Sequence, residues 1–120
     1  MSRRRSAAVA TFREAAPVFA ALGEATRLTL VAKLCTEGPL SIARLSEGTG
    51  VTRQAITKHL HTLAHAGVLR GTRSGRERIW EVETRRLEKA RRCLDQISDQ
   101  WDAAIARLQA FVEEKPSRSV

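Results

Sequence analysis

Gly50-Val51-Thr52-Arg53-Gln54-Ala55-Ile56-Thr57-Lys58-His59-Leu60-His61-Thr62-Leu63-Ala64-His65-Ala66-Gly67 is the stretch on which the fold turns. Set at about 100° per residue, Ile56, Leu60 and Leu63 fall on one side of a helix, with Ala55 and Ala66 at its margin. Gln54, Thr57, Lys58, His61 and Thr62 fall on the other side, with Arg53 at the edge. The spacing predicts an amphipathic helix capped by Thr52 and stopped at Gly67. The polar side suits the major groove: Gln54 can bond bidentately to adenine, Arg53 to guanine, and Thr57 to a base or a thymine methyl. Lys58 and Thr52 suit phosphate, which fixes register without reading sequence. His59 leans to the apolar side and reads as a partly buried, satisfied histidine. A solvated polar face would give the same pattern, so the neighbouring segments decide.

Upstream, Ser41 is a candidate N-cap for a short helix over Ile42 to Glu47, and Gly48-Thr49-Gly50 makes the turn. Gly50 suits a sharp turn because glycine accepts positive φ without steric cost. Two helices joined this way form a helix-turn-helix, whose second helix can enter the major groove. Further back, a helix is expected from about Thr26, as N-cap, to Cys35, ended by Gly38-Pro39. Its apolar side is read as Leu28, Val31, Ala32, Leu34 and Cys35. An alanine-rich helix is expected from Ala7 to Ala21, carrying Val9, Phe12, Ala16 and Phe19, with Pro17 marking a kink or break.

Downstream the period shortens to two. Val68 to Arg73 and Glu77 to Val82 read as strands joined by Ser74-Gly75-Arg76. Such a hairpin is marginal alone and must pack on the helices. Arg73, Arg76 and Arg78 surround its tip, where beside a helix-turn-helix they make a basic wing. The last segment, about Thr84 to Glu114, is one long helix. Its Leu87, Ala90, Leu94, Ile97, Trp101, Ala104, Leu108 and Phe111 alternate at spacings of three and four, a heptad stripe. Trp101, Leu108 and Phe111 lie beyond what a small domain covers, which points to an interface between two copies. Phe12, Phe19, Leu94, Ile97, Trp101, Leu108 and Phe111 are the residues expected there, the terminal helices pairing within and across subunits.

The expected fold is therefore mainly α with a small β-hairpin, a winged helix-turn-helix in the order α-α-α-α-β-β-α. Residues 1–8 are expected to be a basic flexible arm, 9–114 the DNA-binding and dimerisation domain, and 115–120 a flexible tail. The bulk composition agrees. In 120 residues, 21 Lys and Arg stand against 13 acidic residues, a formal net charge of +8, which favours nucleic acid over an anionic membrane surface. No apolar run suggests a membrane span or secretory signal, and two cysteines make no disulfide framework, so a reducing cytoplasm is expected. No nucleophile–base pair, phosphate-binding glycine loop or metal-ligand cluster suggests an enzyme.

Three stretches carry a resemblance to a known family. Ala21-Leu22-Gly23-Glu24-Ala25-Thr26-Arg27-Leu28 resembles the start of the second helix in the ArsR/SmtB family of bacterial repressors. Gly50 to Leu60, with Leu63 and Ala66-Gly67-Val68-Leu69, resembles the family's recognition helix and first wing strand. Ser74-Gly75-Arg76-Glu77-Arg78-Ile79-Trp80 resembles its wing, with Trp80 where many members carry tyrosine. The resemblance spans roughly residues 19 to 112. It implies a dimer through the first and last helices, repression at an inverted-repeat operator, and DNA contacts at Thr52, Arg53, Gln54, Thr57, Lys58, Arg73, Arg76 and Arg78. His61, on the same outward side, joins the candidate DNA-binding set.

The resemblance also raises the question of a sensed signal, and no effector is identified by the sequence. The family's metal sites lack their ligands: the first helix of the helix-turn-helix has no cysteine, and the last helix has Asp95, Asp99 and Asp102 but no histidine. His61 and His65, four apart, read as a solvated pair rather than a zinc chelate. No metal and no cofactor are expected. Some members sense oxidants or persulfides through one cysteine on the second helix and one on the last, which makes Cys35 and Cys93 a candidate redox pair. Against this, Cys35 reads as inward-facing and inert, whereas Lys89, Arg91 and Arg92 would activate Cys93. Two further alternatives stay open, a helical protein-interaction module without specific DNA binding and a sequence-blind nucleic-acid binder.

Overall fold

Alanine and arginine are strong helix formers, and no glycine or proline lies between Arg3 and Ala16. In the computed structural model, which describes the backbone of residues 2–114 and the side chains of residues 11–114, the first helix accordingly starts early. Helix α1 spans Ser2–Leu22, so residues 2–8 are helical where an arm was expected. The expected tail, 115–120, lies outside the described residues. Pro17 does not end α1. Arg13 and Pro17 are both exposed, so water can reach the Arg13 carbonyl that loses its donor.

Helix α2 (Ala25–Glu37) is capped by Glu24, not Thr26: the Glu24 carboxylate accepts the Arg27 backbone N–H at 2.9 Å. Its buried side is Leu30, Val31 and Leu34, whereas Leu28, Ala32 and Cys35 are exposed. The sequence offers two overlapping apolar stripes that share Val31 and Leu34, and packing selects the one containing Leu30. Cys35 is consequently a surface thiol, the reverse of the inward placement expected for it.

Strand β1 (Leu40–Ser41) was not anticipated. It pairs antiparallel with β3 (Glu77–Val82), Leu40 opposite Trp80 and Ser41 opposite Ile79. β2 (Leu69–Ser74) takes the other edge of β3, with Gly71 opposite Trp80 and Ser74 opposite Glu77. The hairpin therefore becomes a three-stranded sheet in the order β1-β3-β2. A two-residue strand is too short to show alternation in sequence, and only pairing defines it. It also covers the edge that β3 would otherwise expose.

Ser41 serves twice, because its hydroxyl accepts the Arg44 N–H at 3.4 Å and starts α3 (Ile42–Ser46). Gly48 and Gly50 take φ of 72° and 68° in the turn that leads to α4 (Arg53–His65). One core joins these elements: Val18 and Ala21 of α1, Leu30, Val31 and Leu34 of α2, Leu40, Leu45, Ile56, Leu60, Leu63, Val68, Leu69, Trp80 and Ala90. Helix α5 spans Thr84–Glu114. A compact unit extends to Ala90, and the remainder of α5, from Arg91, forms a second. In that second unit Leu94, Ile97, Trp101, Ile105, Leu108, Phe111 and Val112 are exposed, Trp101 at 65%. No helix among the described residues is long and apolar enough to cross a membrane.

Candidate nucleic-acid interface

The expected reading helix is seated by its own first turn. The Thr52 hydroxyl accepts the Ala55 N–H at 3.1 Å, capping α4, and Ile56, Leu60 and Leu63 anchor the opposite side in the core. Thr52, Arg53, Gln54, Lys58 and His61 are left exposed, while Thr57 is half-buried. The Thr57 hydroxyl donates to the Arg53 carbonyl at 2.7 Å, leaving its methyl and oxygen lone pairs for an outside partner. All six of these side chains arise from one helix and its N-cap, with no acidic residue among them.

A second anchor is polar. The His59 ring lies half-buried with Nδ1 3.4 Å from an Arg27 guanidinium nitrogen and 3.9 Å from a Glu24 oxygen. Arg27 Nε also donates to the Ala21 carbonyl at 2.6 Å. The α1–α2 junction is thereby tied to the middle of α4. The Arg27 backbone N–H, aided by the nearby charges of His59 and Arg27, holds the Glu24 carboxyl below its ordinary value of 4.5. The sequence placed His59 correctly, but its partners come from residues more than thirty positions away, and no local signal announces them.

The hairpin arginines differ in their partners. Arg70, at the base, donates to Glu81 at 2.8 and 3.2 Å and to Glu83 at 3.2 Å. The hydrogen bond and charge of Glu81, with Glu83, raise its pKa further above the ordinary arginine value. Arg73, Arg76 and Arg78 are exposed at and beside the tip, and among the described residues none has a carboxylate partner. Arg73 and Arg78 are direct cross-strand neighbours, a like-charge pairing that an anion would relieve. Gly75 takes φ of 64° in the two-residue turn with Arg76.

Trp80 joins the hairpin to the helix. The residue is 3% exposed, and its ring meets the His61 ring edge-on, with centroids 5.6 Å apart and planes at 87°. The Arg78 guanidinium carbon stands 5.6 Å from the Trp80 ring centroid. A Cβ on Gly71 would lie 3.1 Å from both Trp80 Cζ3 and Arg78 Cδ, so the bare backbone there makes room for the ring. The glycine within a strand was the available signal of that close approach.

The remaining sequence candidates are dispersed. His65 is exposed, and no group of three potential metal ligands forms among the described residues. Cys35 is exposed and Cys93 is buried, both free, so the thiol expected to face inward is the accessible one. Phe12 and Phe19 are half-buried, Phe19 packing on the core. Leu94, Ile97, Trp101, Leu108 and Phe111 are all exposed in the single chain.

No family model matches the chain. It is 26% identical over 105 residues to the HTH-type transcriptional regulator Rv2034 of Mycobacterium tuberculosis, covering 88% of this chain and 94% of that one. An ArsR-like transcriptional regulator from Rhodococcus sp. RHA1 superposes with a TM-score of 0.69 at 33% identity, covering 85% of this chain and 95% of that one. The homodimeric winged helix-turn-helix DNA-binding domain of a possible ArsR-family regulator from Mycobacterium bovis shares the fold, with a TM-score of 0.59 and 19% identity over 82% of this chain and 88% of that one.

Proposed function

This chain belongs to the ArsR family of helix-turn-helix transcriptional regulators, and on that footing we propose that it acts as a dimeric repressor of transcription at an inverted-repeat operator in a bacterial-type cytoplasm. Arg53, Gln54 and Thr57 read base edges, with His61 beside them. Thr52 and Lys58 hold phosphate, and Arg73, Arg76 and Arg78 grip the adjacent backbone or minor groove. Residues 9–114 carry both activities. Phe12 and Phe19 of α1, with Leu94, Ile97, Trp101, Leu108 and Phe111 of α5, pair two copies so that their reading helices lie about one DNA turn apart.

The observation that carries this reading is the division of charge in the hairpin. Arg70 is paired with Glu81 and Glu83, while the three arginines around the tip, next to an acid-free reading helix, have no carboxylate partner among the described residues. An ordinary solvated surface has no reason to sort its cations in that way. The dimeric assembly of the Mycobacterium bovis domain supports the pairing.

Salt titration against two duplexes tests the proposal, one enriched by the protein from a random-sequence library and one scrambled from it. A regulator retains its preference for the enriched duplex as salt rises. Equal binding that falls equally with salt would identify a sequence-blind binder. Binding to neither would identify an interaction module built on α5.

A further inference from the structure

Resting on the DNA-binding reading above, we propose that Trp80 is a positioning residue for recognition: one buried indole seats Arg78 of the wing and His61 of the reading helix, so that the two DNA-facing surfaces present as one rigid unit. Three observations converge on it. The indole is almost wholly buried, and its register is fixed from both sides, by Leu40 of β1 and Gly71 of β2. It touches both candidate surfaces at once, His61 edge-on and Arg78 over the ring. Its cross-strand partner is a glycine whose missing side chain leaves that space to the ring and to the Arg78 stem.

The choice of an aromatic support has a chemical consequence. Arginine needs a partner to hold it still, and a carboxylate would do so only by cancelling the charge that phosphate must meet. The base of the same hairpin shows that solution, with Arg70 between Glu81 and Glu83. An indole face attracts the guanidinium through its quadrupole yet carries no net charge. Arg78 is thus oriented without being neutralised, and the ordering cost is met before DNA arrives. Because α4 leans on the same ring through His61, a shift in the wing is also felt at the reading helix.

A double-mutant cycle on the affinity for the library-enriched duplex tests this, with chemical denaturation run on each variant. Trp80→Leu removes the aromatic face. The expected result is a loss of affinity of about tenfold or more, with Arg78→Ala then costing little beyond it, because the two substitutions remove one oriented contact. Trp80→Phe, which keeps an aromatic face and protects the fold if the leucine variant is too unstable, is expected to recover most of the affinity and the dependence on Arg78. A merely structural Trp80 would instead leave Arg78→Ala equally costly in every background, and that additivity would overturn the proposal while leaving DNA binding intact. Failure of the unmodified protein to bind any duplex would overturn both readings together.

Discussion

The proposed interface assigns some side chains to reading bases and others to holding phosphate, and single substitutions would tell the two apart. Gln54→Ala is expected to relax base preference at one operator position, costing about 1–3 kcal/mol against the preferred base. Arg76→Ala should weaken binding to matched and scrambled duplexes alike and flatten the salt dependence. Competition binding over a salt series checks both, and identical behaviour of the two variants would dissolve the distinction. Glu24 supplies a pH test. Its carboxyl is held below the ordinary 4.5, so its stabilising effect is complete above that value and disappears as pH falls through the lowered one. Urea midpoints are therefore expected to decline on acidification below the ordinary carboxylate range, and Glu24→Gln should flatten that decline. Thr52 was legible as a cap because the cap and the N–H it accepts lie three residues apart. Glu24 was not, since Thr26, two positions on, offers the commoner capping side chain. The exposure of Cys35 escaped for a different reason, because two apolar stripes on α2 satisfy the same spacing and only packing separates them.

At the element scale, the hairpin shows what periodicity can and cannot deliver. Alternation and the Ser-Gly-Arg turn announced β2 and β3 with nearly their observed limits. They could not announce β1, whose two residues become a strand only by meeting Ile79 and Trp80. The consequence lies at Gly71, whose backbone sits against the Trp80 ring and the Arg78 stem. Gly71→Ala would gain backbone propensity of about 0.5–1 kcal/mol, yet its Cβ meets a ring that the core holds in place. Overpacking of that kind costs about 1–3 kcal/mol, so a net loss near 1 kcal/mol is expected by chemical denaturation. Affinity for duplex should fall with it, since the displaced atoms belong to Trp80 and Arg78. Helix α1 makes the complementary point. Its alanine-rich start signalled a helix, but its first residues looked like an arm because basic clusters at chain ends so often are, and local propensity prevailed.

For the whole molecule, the heptad stripe of α5 was legible from sequence because apolar residues spaced three and four apart over eight positions line a single face of a helix. Its large side chains from Leu94 to Phe111 are exposed in the single chain, while Leu87 and Ala90 pack on the core. Trp101→Ala is expected to weaken dimerisation and operator binding together, measured by sedimentation equilibrium and by titration of the same samples. An intact mutant dimer would remove Trp101 from the interface. If two copies must meet along this stripe before either engages an operator, the abundance of the regulator becomes a control variable in its own right. Below the dissociation constant of the pair, the active species grows as the square of the number of chains made. A modest drop in synthesis, or dilution at cell division, would then release a promoter far more abruptly than a one-chain regulator could, with no inducer required.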